Sequence, residues 1–119
     1  MNKLTKKEEI IMNIFWKKGR LFVKELQDNY EEPKPHFNTL STQVRSLEAE
    51  GFLAHNVYGN SFRYYPLITQ DEYKKNTLAG VVKNYFGNSY LEAVSTLVRE
   101  EKISVDELKE LIDKIEKGK

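Results

Sequence analysis

The stretch of sequence that decides the fold is residues 36–67, HFNTLSTQVRSLEAEGFLAHNVYGNSFRYYPL. Its first half spaces apolar residues at helical intervals and predicts a helix over residues 36–50 that ends at Gly51. Its second half predicts a β-hairpin, because the strand-like residues 52–57 and 61–67 flank a glycine-containing turn. The helix positions expected to face the core are Phe37, Leu40, Val44 and Leu47.

Two further helices are predicted upstream of this stretch. The first begins at Thr5, because its hydroxyl and Glu8 form the capping-box pattern, and it ends near Gly19. The second covers about residues 23–30 and stops at residues 31–35, which contain two prolines. Three helices and then a hairpin are the order of a winged helix-turn-helix, whose third helix enters the major groove of DNA. The apolar face of the first helix is expected to consist of Ile10, Ile11, Ile14 and Phe15.

The polar face of the third helix is the candidate DNA-reading surface. It combines short side chains with one long cation, whereas an ordinary solvated helix carries more Glu and Lys. Short hydroxyl and amide side chains allow a helix to approach a groove closely and to bond phosphates or base edges. The alternative is that this polar face is an ordinary solvated surface that contacts no DNA. The residues predicted to enter the major groove are Asn38, Thr39, Ser41, Thr42 and Arg45, and those predicted to meet the DNA backbone are Lys34, His36 and Arg63.

Three more helices are predicted after residue 68, and each begins with Ser or Thr followed three residues later by Glu. Three helices in 51 residues enclose little core, so their apolar stripes are expected to pair with a second copy of the chain. The predicted fold class is mostly α with a small β-hairpin. We expect a winged helix-turn-helix DNA-binding domain over residues 1–68 and a helical dimerisation segment over residues 69–119. The expected interface positions are Leu91, Val94, Leu97, Val98, Leu108, Leu111, Ile112 and Ile115.

Composition excludes several classes of protein. The chain has 119 residues, of which 39% are hydrophobic, so a large multidomain enzyme is excluded. It has no Cys, which excludes a disulfide framework and a thiolate metal site. No apolar run approaches the roughly 20 residues of a membrane-spanning helix, so we expect no membrane insertion and a cytoplasmic location. The net charge of +1 means that any DNA footprint must be local.

No catalytic or metal-binding pattern stands out. The two histidines, His36 and His55, lack the HxxxH or HExxH spacing of a metal site, although a site shared with Glu48 or Glu50 is the alternative. The sequence contains no GxSxG motif and no glycine-rich phosphate loop. We therefore expect neither an enzyme nor a metal nor a cofactor. Trp16 is expected in the core, since a stacking platform for single strands is the rarer role.

Several sequence blocks carry a family resemblance. They are Leu4-Thr5 with Glu8 or Glu9, residues 11–16 (IMNIFW), residues 39–42 (TLST) leading to Leu47 and to residues 51–53 (GFL), and residues 62–67 (FRYYPL). Together they resemble the penicillinase-repressor family of bacterial transcriptional regulators, the BlaI/MecI/CopY group. The resemblance implies a homodimeric repressor, with one winged helix on each half of a palindromic operator and a C-terminal helical segment that holds the dimer.

The resemblance also implies how repression is relieved. Family members that guard β-lactam resistance operons are cut in the dimerisation segment after a membrane sensor protease detects the antibiotic. The corresponding bond here is Thr96-Leu97, where those members carry Asn-Phe. Copper-responsive members sense the metal through a C-terminal cysteine cluster that this chain lacks. The implied partners are double-stranded operator DNA, a second copy of the chain and a membrane sensor protease.

The predicted function is a homodimeric transcriptional repressor that binds a palindromic operator through its third helix and controls a β-lactam-resistance-type operon. The alternative from another class is a winged-helix protein-interaction adaptor without specific DNA binding, which the near-neutral net charge allows. A metal-dependent enzyme that uses the two histidines is a third and more remote interpretation.

Overall fold

The computed structural model describes residues 3–118, and over these residues the chain is mostly helical with one small antiparallel sheet. The fold class predicted from the sequence is confirmed: a winged helix domain is followed by a helical C-terminal segment. The helices and strands, in chain order, are α1 (Lys6–Lys18), β1 (Leu21–Phe22), α2 (Val23–Asp28), α3 (Phe37–Ala49), β2 (Leu53–Tyr58), β3 (Ser61–Pro66), α4 (Gln70–Tyr85), α5 (Tyr90–Arg99) and α6 (Val105–Lys117).

Helix α1 begins and ends at the residues that the sequence predicts. Thr5 Oγ1 accepts a hydrogen bond from the Glu8 amide at 3.2 Å, and the Glu8 carboxylate accepts one from the Thr5 amide at 2.9 Å. This capping box satisfies two amide groups that the start of the helix would otherwise leave unpaired. At the other end, Gly19 has a φ of +89°, which glycine adopts without strain.

The sheet has the strand order β1-β3-β2, so it contains one strand more than the predicted hairpin. Leu21 pairs with Tyr64 and Phe22 pairs with Arg63 along the free edge of β3. A strand of two residues is too short for its side chains to show an alternating pattern, and periodicity could not reveal it. Its effect is to bring the start of α2 against the base of the wing.

The hairpin itself is built from six residue pairs, from Leu53 opposite Pro66 to Tyr58 opposite Ser61. Because Tyr58 is paired, the turn is two residues long and not the three-residue connection that the sequence indicates. Its first residue, Gly59, has a φ of +60°, the left-handed conformation that tight hairpin turns require. The wing is therefore a regular ribbon with a short tip.

Helix α3 ends in a Schellman motif, which connects it directly to the wing. The Phe52 amide donates to the Leu47 carbonyl at 2.9 Å, and the Gly51 amide donates to the Glu48 carbonyl at 3.1 Å. Gly51 has a φ of +89°, so the terminator expected from the sequence is present. The short connection fixes the start of β2 relative to the helix.

A single apolar core lies between α1, α2, α3 and the sheet. The predicted core positions of α3 are confirmed for all but Phe37, which is 44% exposed because it lies in the first turn, at the edge of the buried stripe. The prediction that Ile10 lies in the core is also wrong. Its side chain is 51% exposed, because the buried stripe of α1 runs through Ile11 and Phe15. The completely buried side chains of this core are Ile11, Met12, Phe15, Leu26, Leu40, Val44, Leu47 and Phe52.

The segment that leads into α4, and the first turn of α4, bond back to α1 and to the residue just before its cap. Trp16 Nε1 donates to the Ile68 carbonyl at 2.8 Å, and the Trp16 ring lies 5.7 Å from the Tyr73 ring, centroid to centroid. The Tyr73 hydroxyl accepts a hydrogen bond from the Leu4 amide at 3.1 Å. Trp16 thus packs against the core, as the sequence predicts. The aromatic pair and the two hydrogen bonds anchor the start of α4.

The chain divides into two compact units, Met1–Lys75 and Asn76–Lys119. The first unit contains the winged helix and the beginning of α4. The second contains the rest of α4 together with α5 and α6. The boundary after residue 68, which the sequence suggests between the DNA-binding domain and the dimerisation segment, stays a prediction.

The helices of the second unit begin at the predicted caps. Ser104 Oγ accepts the Glu107 amide at 3.0 Å, and the Glu107 carboxylate accepts the Ser104 amide at the same distance. The hydrogen bond from the Ser104 amide, together with the Ser104 side chain, lowers the pKa of the Glu107 carboxyl below its ordinary value of 4.5. Ser89 Oγ accepts the Glu92 amide at 3.1 Å in the same way. The local signals for helix starts are therefore correct in this unit.

The apolar positions of α5 and α6 are largely uncovered within one chain. Leu91 is 84% exposed and Leu111 is 53% exposed, although both are large aliphatic side chains. Exposed side chains of this kind on one helix face are typical of a surface that is covered by a partner. Of the predicted interface positions, Leu91, Val94, Leu97, Leu111, Ile112 and Ile115 are exposed, and Val98 and Leu108 are half-buried.

Candidate nucleic-acid interface

The outer face of α3 presents a row of three exposed polar side chains. Asn38, Thr42 and Arg45 follow each other at intervals of four and three residues, which places them on one stripe of the helix. Thr42 Oγ1 donates to the Asn38 carbonyl at 3.0 Å, and the Arg45 guanidinium donates to Thr42 Oγ1 at 3.5 Å. This leaves most guanidinium N–H groups free to bond phosphates or base edges.

Ser41 and Thr39 lie on either side of this row. Ser41 is partly buried and faces the hairpin. Thr39 is exposed and, on the opposite side, lines a cavity of about 240 Å³ together with Ile10 and Tyr30. The structure therefore places the five predicted residues on one broad face of α3, with Asn38, Thr42 and Arg45 in its middle and with Ser41 and Thr39 at its two edges. Their contacts with DNA stay predictions.

The two predicted backbone contacts before α3 already have partners inside the protein. His36 is the N-cap residue, and its Nδ1 accepts the Asn38 amide at 3.2 Å. One of the amides that could have met a phosphate is therefore occupied. Lys34 Nζ lies 3.9 Å from the Asp28 carboxylate. An exposed ion pair of this kind contributes at most about 1 kcal/mol, so Lys34 can exchange Asp28 for a phosphate at little cost.

Arg63, the third predicted backbone contact, lies across the outer face of the sheet. Neighbouring side chains of a strand point to opposite faces, and Tyr64 fills the core side. The Arg63 guanidinium carbon stands 5.7 Å from the centroid of the Phe22 ring, and its Nε is buried without a hydrogen-bond partner among residues 3–118. The side chain is thus held against an aromatic ring, and only the end of the guanidinium can meet a phosphate.

A polar pair joins the wing to α3. His55 Nδ1 on β2 and a Glu48 carboxylate oxygen on α3 are 2.5 Å apart, and both side chains are partly buried. Burial raises the pKa of the nearby Tyr64 phenol, the Glu48 carboxylate raises it further, and the Arg45 guanidinium lowers it. The described chain holds no group of three or more His, Cys, Asp or Glu side chains that could bind a metal ion. His55 and Glu48, which the sequence suggests only as alternative metal ligands, form a hydrogen-bonded pair between the wing and α3.

A groove lies between α3 and the wing, and we call it the wing groove. Its volume is about 590 Å³. Sequence reasoning missed it because Phe37 was assigned to the core and because the contribution of β1 was unknown. Five aromatic residues from four different elements line it: Phe22, Phe37, Tyr58, Phe62 and Tyr64.

Comparison with known proteins gives this fold an identity. The model of the penicillinase repressor family matches residues 4–117, from the residue before the α1 cap to the last turn of α6. The chain belongs to the penicillinase repressor family. The match runs through both compact units, so the winged helix and the C-terminal helices are family features together. The resemblance noted in the sequence is confirmed.

The chain is also similar to curated members of this family at low identity. It is 26% identical over 106 residues to the methicillin resistance regulatory protein MecI of Staphylococcus aureus strain N315, covering 85% of this chain and 83% of that protein. The same figures hold for MecI of Staphylococcus epidermidis. MecI of Staphylococcus aureus strain Mu50 is 27% identical over 105 residues, covering 84% of this chain and 82% of that protein.

Family membership makes the chain a DNA-binding transcriptional repressor of the BlaI/MecI type. The family consists of regulators and not of enzymes. In the described part of the chain, no helix combines the length and the apolar character needed to cross a bilayer. The bond between Thr96 and Leu97, where cleavage is predicted, lies inside α5, and Thr96 Oγ1 donates to the Glu92 carbonyl at 2.9 Å.

Proposed function

We propose that this repressor acts as a homodimer that occupies a palindromic operator, with α3 of each subunit in a major groove and the wing beside it. The observation that carries the proposal is the exposed row of Asn38, Thr42 and Arg45 on α3. A guanidinium can bond both acceptors of a guanine edge, and an Asn amide can bond adenine in the same bidentate way. Thr39 and Ser41 reach the edges of the same groove, and Lys34, His36 and Arg63 approach phosphates.

Local charge supports DNA binding despite the net charge of +1. Two of the acidic groups near α3 are engaged by neighbours: Glu48 bonds His55, and Asp28 pairs with Lys24 at 3.5 Å. Arg45 belongs to none of the ion pairs found among residues 3–118. Its charge therefore acts outward, where DNA phosphates would lie.

Dimerisation is supported by the exposed apolar faces of α5 and α6. In α6, Leu108, Leu111, Ile112 and Ile115 follow the spacing of one helix face, and the acidic and basic residues lie on the other. A second copy that presents the same stripe would bury it in a symmetric interface. When two winged-helix domains are joined in a dimer, binding of the second domain to the operator becomes an intramolecular step. This raises the overall affinity without any new contact between protein and DNA.

Relief of repression is proposed to follow the family pattern. The Thr96-Leu97 bond is the site where a membrane sensor protease would act, and the operon would be of the β-lactam-resistance type. The names of the MecI relatives, which are methicillin resistance regulatory proteins, support this proposal. Since the operator is chromosomal or plasmid DNA, we keep the cytoplasm as the proposed location.

Titration of DNA by fluorescence anisotropy tests the proposal. The duplexes cover the region upstream of the chain's own gene, and shuffled duplexes of the same composition serve as controls. We expect binding to one upstream duplex to be tighter than to its shuffled form by a factor on the order of 10³ or more. The logarithm of the binding constant should fall linearly with the logarithm of the salt concentration, with a slope of about −0.9 for each phosphate contacted.

Sedimentation equilibrium on the free protein and on the complex gives the second readout. Two chains per duplex, and a dimer without DNA, are the expected result. A protein that shows no salt-sensitive affinity for any duplex would be the winged-helix adaptor instead, and a monomer that binds DNA with full affinity would refute the dimeric mechanism.

A further inference from the structure

The wing groove places large aromatic rings in water. Phe37, Tyr58 and Phe62 are each between 44% and 49% exposed, and all three line the same concavity. Isolated exposed aromatic residues are common, but three that converge on one groove mark a binding surface. Its volume of about 590 Å³ lies within the range of about 300–1,000 Å³ that is usual for small-molecule sites.

The rings are held in place before any ligand arrives. The Phe62 ring stacks on His55 at 4.2 Å between centroids, and His55 is itself fixed by its bond to Glu48. Phe22 meets the Tyr58 ring edge-on at 5.8 Å. A site whose walls are already ordered loses little conformational freedom when a ligand binds.

The rim of the groove carries two cations, Lys24 and Arg45, and one carboxylate, Glu25. Lys24 has Asp28 as its partner, and the Glu25 carboxylate accepts the Phe22 amide at 2.9 Å. Arg45 also lines the groove, but the ion pairs of the described residues do not include it. A carboxylate is therefore the ligand group that this rim would bind best, because it can accept two parallel bonds from a guanidinium.

The arrangement of α3 brings these features together. Phe37, Ser41 and Arg45 are spaced by four residues, so they form one row along the helix that faces the groove. The row runs from an aromatic ring through a hydroxyl to a cation. We infer that the wing groove binds a planar aromatic carboxylate, with its ring against Phe37 and Phe62 and its carboxylate on Arg45.

Such a ligand would compete with the operator, and this consequence rests on the proposed function. Arg45 belongs both to the groove row and to the outer row of α3, so one guanidinium serves two binding partners. A ligand carboxylate on Arg45 takes the donors that the operator needs. The ligand thereby acts as an inducer that releases DNA without any cut in the chain.

Binding is tested on the free protein, with 2-naphthoate as the probe. Calorimetry and amide chemical shifts should give a dissociation constant on the order of 1 mM or tighter, as expected for a probe of this size. The shift changes should concentrate on residues 37–45 and 58–64. Two related compounds serve as controls: 2-naphthylmethanol lacks the charge, and cyclohexanecarboxylate lacks the planar aromatic rings. Each should bind about tenfold more weakly.

Two wing variants form a matched pair. Phe62→Ala should weaken 2-naphthoate binding about tenfold, whereas Val57→Ala, which changes the directly opposite and 64% exposed residue outside the groove, should leave it unchanged. Circular dichroism and thermal unfolding verify that both variants are folded. Equal effects of the two substitutions, or an absence of naphthoate binding, would overturn the site.

Competition for the operator separates this inference from the proposed function. In the supporting outcome, 2-naphthoate releases the upstream duplex, and 2-naphthylmethanol at the same concentration does not. The protein could instead bind its operator while the chemical shifts of the groove residues change only when DNA is added, and not with 2-naphthoate. In that case the groove belongs to the DNA interface, and this inference is refuted while the proposed function stands. If 2-naphthoate binds but no duplex does, the groove site stands and the repressor mechanism falls.

Discussion

Replacing Arg45 with Ala tests the DNA-reading face most directly. The Arg45 side chain is exposed, and its recorded bond within the chain is the long contact of 3.5 Å to Thr42 Oγ1. Surface substitutions of this kind change the free energy of unfolding by less than about 0.5 kcal/mol. The variant should therefore fold and dimerise like the wild type, and any loss of operator affinity reports on the interface itself.

The expected loss of affinity follows from the number of contacts. One bidentate contact to a base edge contributes about 1–3 kcal/mol of discrimination. The proposed dimer presents two copies of Arg45, so the loss is about 2–6 kcal/mol, or roughly 30-fold to 10⁴-fold in the dissociation constant. If Arg45 meets only phosphates, the loss is the same for every duplex and the salt slope becomes shallower by about 0.9 per contact.

Arg99→Ala is the matched control for this measurement. Arg99 donates to Thr96 Oγ1 at 3.2 Å, and Thr96 bonds the carbonyl four residues earlier, so α5 repeats the local arrangement of Arg45 and Thr42. Each substitution removes one positive charge from an exposed helix position whose guanidinium donates to the Thr three residues earlier. Anisotropy titrations should show a large loss for Arg45→Ala and little for Arg99→Ala. Equal losses would mean that net charge, and not the α3 face, governs binding.

Three other substitutions test the dimer, the core and the helix caps. Leu111→Asp puts a carboxylate into the exposed stripe of α6, so sedimentation velocity should show a shift towards monomer and operator affinity should fall; an intact dimer would exclude this face. Trp16→Phe removes the donor to the Ile68 carbonyl, and urea unfolding should show a loss of about 1–3 kcal/mol; no loss would mean that water replaces the bond. The pKa of Glu107 is lowered in the folded state, so its cap stabilises α6 above pH 4.5 and is lost as the pH falls through the folded pKa. The difference in Tm between wild type and Glu107→Gln should therefore shrink as the pH is lowered towards that range, and a constant difference would refute this origin.

Local signals in the sequence predict the helix boundaries well. The capping pairs at Thr5 and Ser104 depend on residues three positions apart, and Gly51 ends α3 through its own backbone conformation. Such features form within a few residues, so one sequence contains the necessary information. The alternation in residues 61–67 predicts the wing for the same reason.

Features that depend on tertiary neighbours could not be predicted. The strand at Leu21–Phe22 forms because β3 offers a free edge for pairing. A stretch of two residues contains no sequence signal for a partner that lies more than 40 residues further along the chain. Phe37 has the correct spacing for a core position, but the first turn of α3 lies at the edge of the buried stripe. The Glu48–His55 pair joins two elements whose distance is set by the turn at Gly51. The wing groove results from all three features, so it could not be predicted from one sequence.

The bond between Glu48 and His55 has a consequence for operator choice. Because it ties the wing to α3, and because the connection between them is short, it opposes an independent movement of these two elements when they meet a duplex. Part of the deformation needed for a close fit would then come from the nucleic acid. In the proposed palindromic operator, flexible pyrimidine–purine steps between the half-sites would be favoured at positions that no side chain touches, so that the stiffness of the spacer would contribute to recognition.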